Sequence, residues 1–248
     1  MDNYAKMWIM RKKQRAFGFV IILAIFAFVV VAILLSPLFR IENIEVIGNT
    51  TIPQSNILEA SRIDIGDSMF GFNIGRVARD IAALSYVHSV EVLRHLPRGI
   101  TINIYERLPA ASVRISTPES VYLIVDNVGM VLEVAQSPAT FGIPKLVGLD
   151  VEGFAAGQYL PIENAAISDI VLLLHIFEAY DFSPSLVDFS NPQGIFMTYG
   201  LFEIDFGGML DVERKVRYLS AIVQNNIHNR GFIDIRNPDS HPRLRILQ

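Results

Sequence analysis

A run of 24 uncharged, mostly apolar residues, 16–39, limits what this chain can fold into more than any other feature. A helix rises about 1.5 Å per residue, so roughly 20 apolar residues are enough to cross the hydrocarbon core of a bilayer. Ser36-Pro37 ends the helix, because proline disfavours helical geometry in the residue before it. The run predicts a single transmembrane helix over residues 16–36.

The charges on either side of this run predict its orientation. Residues 1–15 carry five basic side chains and one acidic side chain, whereas Arg40 is the only basic residue in the twenty positions after the run. By the positive-inside rule, residues 1–15 form a cytoplasmic tail, and the rest of the chain lies outside the cell membrane. A cleaved secretory signal is the alternative, but its apolar core is shorter, and Ser36-Pro37-Leu38-Phe39 lacks the usual small residues at a cleavage site.

Composition excludes several classes of function. The chain has 21 basic and 25 acidic side chains, a net charge of −4, which argues against binding to a nucleic acid backbone. Beyond the basic tail the net charge falls to −8. There is no cysteine, which excludes disulfides, thiolate nucleophiles and iron–sulfur clusters. We expect no cofactor and no small-molecule substrate.

Residues 39–109 change pattern over short distances. Ile44 and Val46 alternate with Glu45, as in a half-buried strand, and Pro53 suits the first turn of a short helix. Two alternating runs on either side of residues 96–99 predict a hairpin. The second helix has apolar residues on one face at Ile74, Val77, Ala78, Ile81 and Leu84. The predicted order is β-α-α-β-β, a small α+β unit.

Residues 110–248 predict a second α+β domain with a mainly antiparallel sheet. Strands are predicted over 111–115, 121–125 and 130–134, and two more on either side of Gly200. Helices are predicted over 167–180 and from Asp211 to before Gly231, with Ile227 on the apolar face of the second. Phe232, Ile233 and Ile235 then indicate a closing strand.

In these two regions the chain resembles the FtsQ/DivIB family of bacterial cell-division proteins. The residues that carry the resemblance are Gly48-Asn49, Phe70, Arg94, Pro97, the run 106–110, the run 126–129, the run 143–148, Lys215 and the run 233–236. One departure is Ser85-Tyr86, where the family usually has a proline before Val87. The resemblance implies a polypeptide-transport-associated (POTRA) domain over 39–109 and an FtsQ/DivIB-type β-domain over 110–248.

The resemblance also implies a function. Members of the family are single-pass, type II proteins of the cell membrane at the division septum. They hold FtsB/DivIC-like and FtsL-like proteins and link divisome assembly to septal peptidoglycan synthesis, and their POTRA domain contacts other divisome components. The chain is therefore expected to be a scaffold and not an enzyme.

The expected partner-binding site is the C-terminal strand region, taken as a sheet edge to which a segment of a partner adds as a further strand. Its candidate residues are Phe232, Ile233, Asp234, Ile235, Arg236 and Asn237. Asp234 and Arg236 share one face of the strand, and a simple ion pair is the alternative role for them. Asn237-Pro238 replaces an aromatic residue that is common after the arginine in the family.

The sequence leaves two other functions open. One is a POTRA-containing, membrane-anchored chaperone or translocation factor that binds unfolded clients. The other is a membrane-anchored hydrolase, for which Gly66-Asp67-Ser68-Met69 and Asp239-Ser240-His241 are weak candidates, since a nucleophilic serine needs a positioned histidine and an oxyanion site. The histidines at 88, 95, 175, 228 and 241 lack metal-binding spacing, and structural or surface roles are expected.

Overall fold

The structure, a computed structural model, describes residues 19–33, 36–115, 121–138, 142–162, 164–226, 229–237 and 243–247. The predicted tail over 1–15 lies outside the described residues, as do residues 16–18 and 34–35 of the predicted transmembrane segment. Residues 19–33 form helix α1, and their side chains are exposed. None of the helices in the described ranges is long and apolar enough to cross a membrane.

The described residues form two compact units, and the first contains those up to Ala82 together with Ser89–Tyr105. Its elements are β1 (Asn43–Ile47), α2 (Gln54–Ser61), α3 (Ile74–Ala82), most of β2 (Val87–His95) and most of β3 (Gly99–Glu106). The strand order is β1-β3-β2, and β1 runs parallel to β3 with Asn43 opposite Gly99. The predicted β-α-α-β-β order is confirmed.

The core of the first unit contains residues of predicted apolar faces, such as Ile81 in α3, and also Ile41 and Met69, which lie on no predicted face. Its fully buried side chains include Ile41, Ile57, Met69, Ile81, Ile100 and Ile102. Gly48 turns the chain after β1 with φ +88, and a Cβ there would overlap the carbonyl oxygen of Ile104. Only glycine fits this position, because the left-handed conformation and the close backbone both exclude a side chain.

The second unit consists of Ala83–His88 and the chain from Glu106 onwards. Its elements are β4 (Ala111–Ile115), β5 (Val121–Val125), β6 (Val131–Ala135), β7 (Lys145–Val147), α4 (Asn164–Ala179), β8 (Leu186–Asp188), β9 (Ile195–Tyr199), β10 (Phe202–Gly207), α5 (Val212–Asn225), β11 (Arg230–Asp234) and β12 (Arg243–Leu247). They form one nine-stranded sheet in the order β12-β11-β10-β9-β8-β7-β4-β5-β6.

This sheet is mixed. Five of its eight neighbouring strand pairs are antiparallel, and the pairs β4/β7, β7/β8 and β10/β11 are parallel. Parallel neighbours need a long crossover, and α5 supplies it between β10 and β11. The crossover places the strand after α5 beside β10, with Ile233 opposite Ile204.

Helices α4 and α5 contribute to one core together with the sheet. The helices provide Ile170, Leu173, Leu174, Phe177, Val212, Val216, Leu219 and Val223, and the sheet provides Val113, Leu123, Leu146, Val187, Met197, Ile204 and Ile233, among others. Within the longer strands these residues lie two positions apart, as side chains on one face of a sheet do. In β5 the residues on the opposite face, Tyr122 and Ile124, are buried as well.

The C-terminal part of the second unit differs from the sequence prediction in two ways. Helix α5 ends at Asn225, and Ile227, which was expected on its apolar face, lies outside the described residues. The predicted closing strand is β11, but a further strand, β12, pairs with it antiparallel, with Ile233 opposite Leu244. The edge of the sheet is therefore one strand farther along the chain than the sequence predicted.

Candidate functional site

The nine-stranded sheet has two edge strands, β6 and β12, and the chain itself covers the edge at β6. The N–H of Val131 donates to the carbonyl oxygen of Gln158 at 2.8 Å, and the N–H of Gly157 donates to the carbonyl oxygen of Val131 at 2.8 Å. Met130 and Tyr159 form an antiparallel bridge beside them. This part of the β6 edge cannot accept another strand without displacing residues 157–160.

Two side chains cover the next part of β6. The Ser85 hydroxyl donates to the carbonyl oxygen of Leu132 at 2.6 Å, and the Tyr86 hydroxyl donates to Glu133 Oε2 at 2.9 Å. Burial and this hydrogen bond raise the pKa of the Tyr86 hydroxyl. Ser85 and Tyr86 are the positions where this chain departs from the family pattern, and here they help to protect an edge strand.

The other edge, β12, is open. β12 pairs with β11 over five residue pairs, from Arg243 opposite Asp234 to Leu247 opposite Arg230. Among the residues that the structure describes, no strand pairs with the far side of β12. An open edge strand presents unpaired N–H and C=O groups to which another chain can add.

The side chains of β12 alternate between basic and apolar. Arg243 and Arg245 are exposed on one face, and Leu244 and Ile246 are exposed on the other. Leu244 and Ile246 lie on the same side of the sheet as Ile233, so they extend its apolar face to the edge. The edge therefore offers backbone hydrogen bonds, an apolar face and positive charge.

The candidate residues 232–237 lie directly behind this edge. β11 is paired on both sides, by β10 and by β12. Ile233 and Ile235 are 0% and 1% exposed and belong to the core. Phe232 and Asp234 face the opposite side and are half-buried, whereas Arg236 and Asn237 are exposed.

Arg236 fixes the chain at the end of β11. Its Nε lies 3.0 Å from Asp234 Oδ1, its Nη2 lies 2.7 Å from Asp234 Oδ2, and Asp205 Oδ2 on β10 lies 3.3 Å from its Nε. The hydrogen bonds from Arg236 hold the pKa of Asp234 below its ordinary value. A Cβ on Gly207 would press against the Arg236 side chain, so the glycine leaves room for it.

Lys215 holds the α5 crossover in place beneath the site. Its side chain is fully buried, and its Nζ donates to the carbonyl oxygens of Phe206 at 2.9 Å and Gly208 at 2.8 Å. Burial lowers the pKa of its ammonium group. Because these carbonyls belong to the end of β10 and the turn after it, Lys215 ties α5 to the strand next to β11.

The structure does not bring the candidate hydrolase residues together as a described site. The Ser68 hydroxyl accepts the N–H of Phe70 at 3.4 Å, and His241 and His228 lie outside the described residues. The side chains of the other histidines, at 88, 95 and 175, are exposed. Within the described ranges there is no group of three histidine or acidic side chains that could hold a metal ion.

The edge-strand residues that sequence reasoning missed are those of β12. Their signal was present, since Arg243, Leu244, Arg245 and Ile246 alternate between charged and apolar as an edge strand does. The run is five residues long and follows Pro242, so its alternation is weaker evidence for a strand than that of the longer runs.

The residues that the structure describes form a β-α-α-β-β unit and a unit with a mixed sheet, which defines a two-unit α+β protein. Residues 39–107 match the family model for the POTRA domain, FtsQ-type. The chain is 25% identical to the cell division protein DivIB of Clostridium acetobutylicum over 80% of each chain. It is 24% identical to DivIB of Clostridium botulinum over 94% of this chain and 92% of that protein.

The cell division protein FtsQ of Corynebacterium glutamicum is 30% identical over 65% of this chain and 69% of its own length. These matches extend well beyond the POTRA domain. The chain belongs to the FtsQ/DivIB family of cell division proteins.

Proposed function

We propose that this chain is a bitopic, non-enzymatic scaffold of the bacterial divisome. Residues 16–36 anchor it in the cell membrane as a single-pass, type II protein, residues 1–15 stay in the cytoplasm, and both units lie outside at the division septum. Membership of the FtsQ/DivIB family supports the role in division. The basic residues of the tail and the uncharged run after it support the anchor and its orientation.

The partners in this proposal are FtsB/DivIC-like and FtsL-like division proteins. A segment of one partner adds to the open edge of β12 as a further strand, and residues 232–237 form the strand and turn that support this edge. A difference between the two edge strands supports this proposal. The β6 edge is covered by residues 157–160 and by Ser85 and Tyr86, whereas no described strand pairs with the far side of β12.

The chemistry of the edge indicates what kind of segment fits. Backbone hydrogen bonds provide affinity without regard to sequence, and side chains on alternate positions provide selectivity. Arg243 and Arg245 favour acidic residues on one face of the added strand, and Leu244 and Ile246 favour apolar residues on the other. Anchoring in the same membrane raises the effective concentration of the partners, so a modest interface is sufficient.

In the same proposal, the POTRA domain contacts other divisome components, and the assembled complex links division to septal peptidoglycan synthesis. Neither unit needs catalytic residues for this role. The FtsQ-type match over residues 39–107 supports a recruiting function for the first unit.

Proline substitutions on β12 test the proposal. In an antiparallel edge strand, the N–H groups of adjacent residues point in opposite directions, so one of Arg245 and Ile246 faces β11 and the other faces the open edge. Binding of the full chain in lipid nanodiscs to the paired FtsB/DivIC-like and FtsL-like proteins is measured for Arg245→Pro and Ile246→Pro. The substitution at the outward-facing amide is expected to weaken binding and leave the unfolding temperature unchanged.

Val134→Pro, on the β6 edge of the same sheet, is the matched control and is expected to leave partner binding unchanged. If both β12 variants bind like the wild type and unfold at the wild-type temperature, the edge is not the site. If the chain instead binds unfolded polypeptides without preference for the division proteins, the chaperone or translocation function replaces the scaffold.

A further inference from the structure

Helix α1 is the first element of the first unit, and a short turn follows it closely along the chain. The N–H of Ser36 donates to the carbonyl oxygen of Ile33 at 3.0 Å, and a single 3-10 turn, Pro37–Phe39, follows. The Ser36 hydroxyl begins this turn by accepting the N–H of Leu38 at 3.3 Å. A hydrogen bond therefore links the last described residue of α1 to the residue that begins the 3-10 turn.

The chain after this turn pairs with the loop between α2 and α3. The N–H of Met69 donates to the carbonyl oxygen of Phe39 at 2.8 Å, and the N–H of Ile41 donates to the carbonyl oxygen of Asp67 at 2.9 Å. Arg40 and Ser68 form an antiparallel bridge between these bonds. The pairing holds the α2–α3 loop next to the connection from α1.

Apolar side chains on both paired segments face solvent. Leu38 is 51% exposed, Ile65 is 70% exposed and Phe70 is 41% exposed. The Phe70 ring lies 5.4 Å from the ring of Phe39, between centroids. Leu38 and Phe70 lie at the end of the pairing next to α1, and Ile65 lies at the turn at its other end. Exposed apolar side chains on neighbouring segments of one unit mark an interaction surface.

The local backbone presents Ile65 to the outside. The N–H of Asp67 donates to the carbonyl oxygen of Asp64 at 3.2 Å, which closes a four-residue turn with Ile65 and Gly66 at its centre. Gly66 has φ +98, as the third residue of a type II turn requires. The Asp67 carboxylate accepts the N–H of Asp64 at 3.0 Å and closes the turn further. Ile63, by contrast, is buried in the core of the first unit. The exposed side chain of Ile65 does not contribute to that core.

We propose that Leu38, Ile65 and Phe70 form an apolar collar that enters the interfacial layer of the lipid bilayer. This inference rests on the proposed membrane anchor, because the bilayer that α1 crosses is then the apolar surface nearest to the collar. The exposed carboxylates of Asp64 and Asp67 on the same turn limit the depth to the headgroup region. The collar adds a second attachment beside α1 and so restricts the orientation of the first unit at the membrane.

Basic side chains lie beside the collar. Arg98 donates from Nε to the carbonyl oxygen of Leu38 at 3.2 Å and also contacts Glu42, and Arg40 is exposed on the paired segment. Cationic groups at this level meet the phosphates of the lipid headgroups. An apolar tip with guanidinium groups behind it is typical of segments that lie in a membrane interface.

Depth-dependent quenching in vesicles tests the collar. The chain has no cysteine, so single substitutions carry a single environment-sensitive fluorophore. The full chain is reconstituted into vesicles of phosphatidylethanolamine and phosphatidylglycerol that contain lipids with nitroxide groups near the headgroup or deep in the acyl chain. Leu38→Cys and Ile65→Cys report on the collar, and Ile25→Cys reports on α1. Leu210→Cys is the matched control, because Leu210 is 70% exposed in the second unit, as Ile65 is in the first.

We expect headgroup-level quenchers to reduce the fluorescence at positions 38 and 65 and to leave position 210 unaffected, while deep quenchers reduce the fluorescence at position 25. Position 38 lies two residues beyond the proposed anchor and is quenched by the anchor alone, so position 65 decides. Quenching at position 25 together with equal signals at 65 and 210 would overturn the collar and leave the anchor intact. Loss of quenching at position 25 would overturn the anchor, and the collar with it.

Discussion

At the scale of single residues, Gly148 shows how a backbone position can determine a residue type. Gly148 follows β7 with φ +77, and a Cβ there would overlap the backbone nitrogen of Ser190. Gly153 has φ +68, but a Cβ there meets nothing within 4 Å. Alanine in the left-handed region costs about 1–2 kcal/mol at either site, and only Gly148→Ala adds a steric overlap. We expect Gly148→Ala to unfold at clearly lower urea concentration than Gly153→Ala, and equal midpoints would contradict this account.

A buried ion pair in the second unit gives another prediction for a single residue. Arg107 Nη1 lies 2.8 Å from Asp126 Oδ2, and Asp126 Oδ1 accepts the N–H groups of Val128 at 3.0 Å and Met130 at 2.8 Å. Asp126→Ala leaves the Arg107 charge and two N–H groups without this partner, and the free energy of unfolding should fall by about 3–5 kcal/mol.

The control is Asp80→Ala, because Asp80 pairs with Arg76 at 3.6 Å on an exposed helix surface. Surface pairs of this kind contribute less than about 1 kcal/mol. Urea unfolding of both variants distinguishes the cases. Similar losses for the two substitutions would show that burial does not strengthen the Asp126 interaction.

Asp234 gives a prediction about pH. The hydrogen bonds from Arg236 lower the pKa of Asp234 in the folded state, so the pair adds stability above the ordinary aspartate pKa of about 3.9, and this stability is lost as pH falls through the lower folded value. We expect Asp234→Asn to reduce the unfolding temperature at neutral pH, and the difference from the wild type to shrink below about pH 4. Glu45→Gln, an exposed carboxylate on β1, is the control. A difference for Asp234→Asn that does not change with pH would contradict the account.

At the scale of elements, local patterns in the sequence were sufficient to place most helices and strands. β4 and β5 lie at the predicted residues 111–115 and 121–125, and α3 begins at Ile74 as predicted. These patterns depend on residues two to four positions apart, and burial of one face acts directly on that spacing.

The neighbours of each strand could not be predicted in the same way. β4 pairs with β7, and β10 pairs with β11 across the whole of α5, so the partners are far apart in the chain. Alternation shows which face of a strand is buried but not which strand lies beside it. For this reason the sequence predicts an edge at β11, whereas the open edge is β12.

Lys215 links α5 to the end of β10, so its substitution tests what holds this helix in place. Lys215→Met removes the donor to the buried carbonyl oxygen of Phe206, and leaving such a group unpaired costs about 1–3 kcal/mol. We expect a loss of stability of that size and faster hydrogen exchange in the first turn of α5. Lys145→Met is the control, because Lys145 is half-buried with its Nζ 5.4 Å from the centre of the Tyr122 ring. Equal effects of the two substitutions would contradict an anchoring role for Lys215.

At the scale of the whole molecule, the two units have their own cores. Ile57 is fully buried in the first unit, and Leu219 is fully buried in the second. Truncating a buried isoleucine or leucine to alanine costs about 2–5 kcal/mol. Because residues that share a core unfold together, each substitution is expected to act mainly on its own unit.

Hydrogen exchange measured by mass spectrometry on the full chain tests this separation. Ile57→Ala should speed exchange in β1, α2 and α3 and leave β9, β10 and β11 at the wild-type rate, and Leu219→Ala should do the reverse. If either substitution speeds exchange equally in both units, they unfold as one. Separate responses would allow the proposed roles to be tested one at a time, since Leu219→Ala then weakens the sheet that carries the β12 edge while the POTRA domain and its collar stay folded.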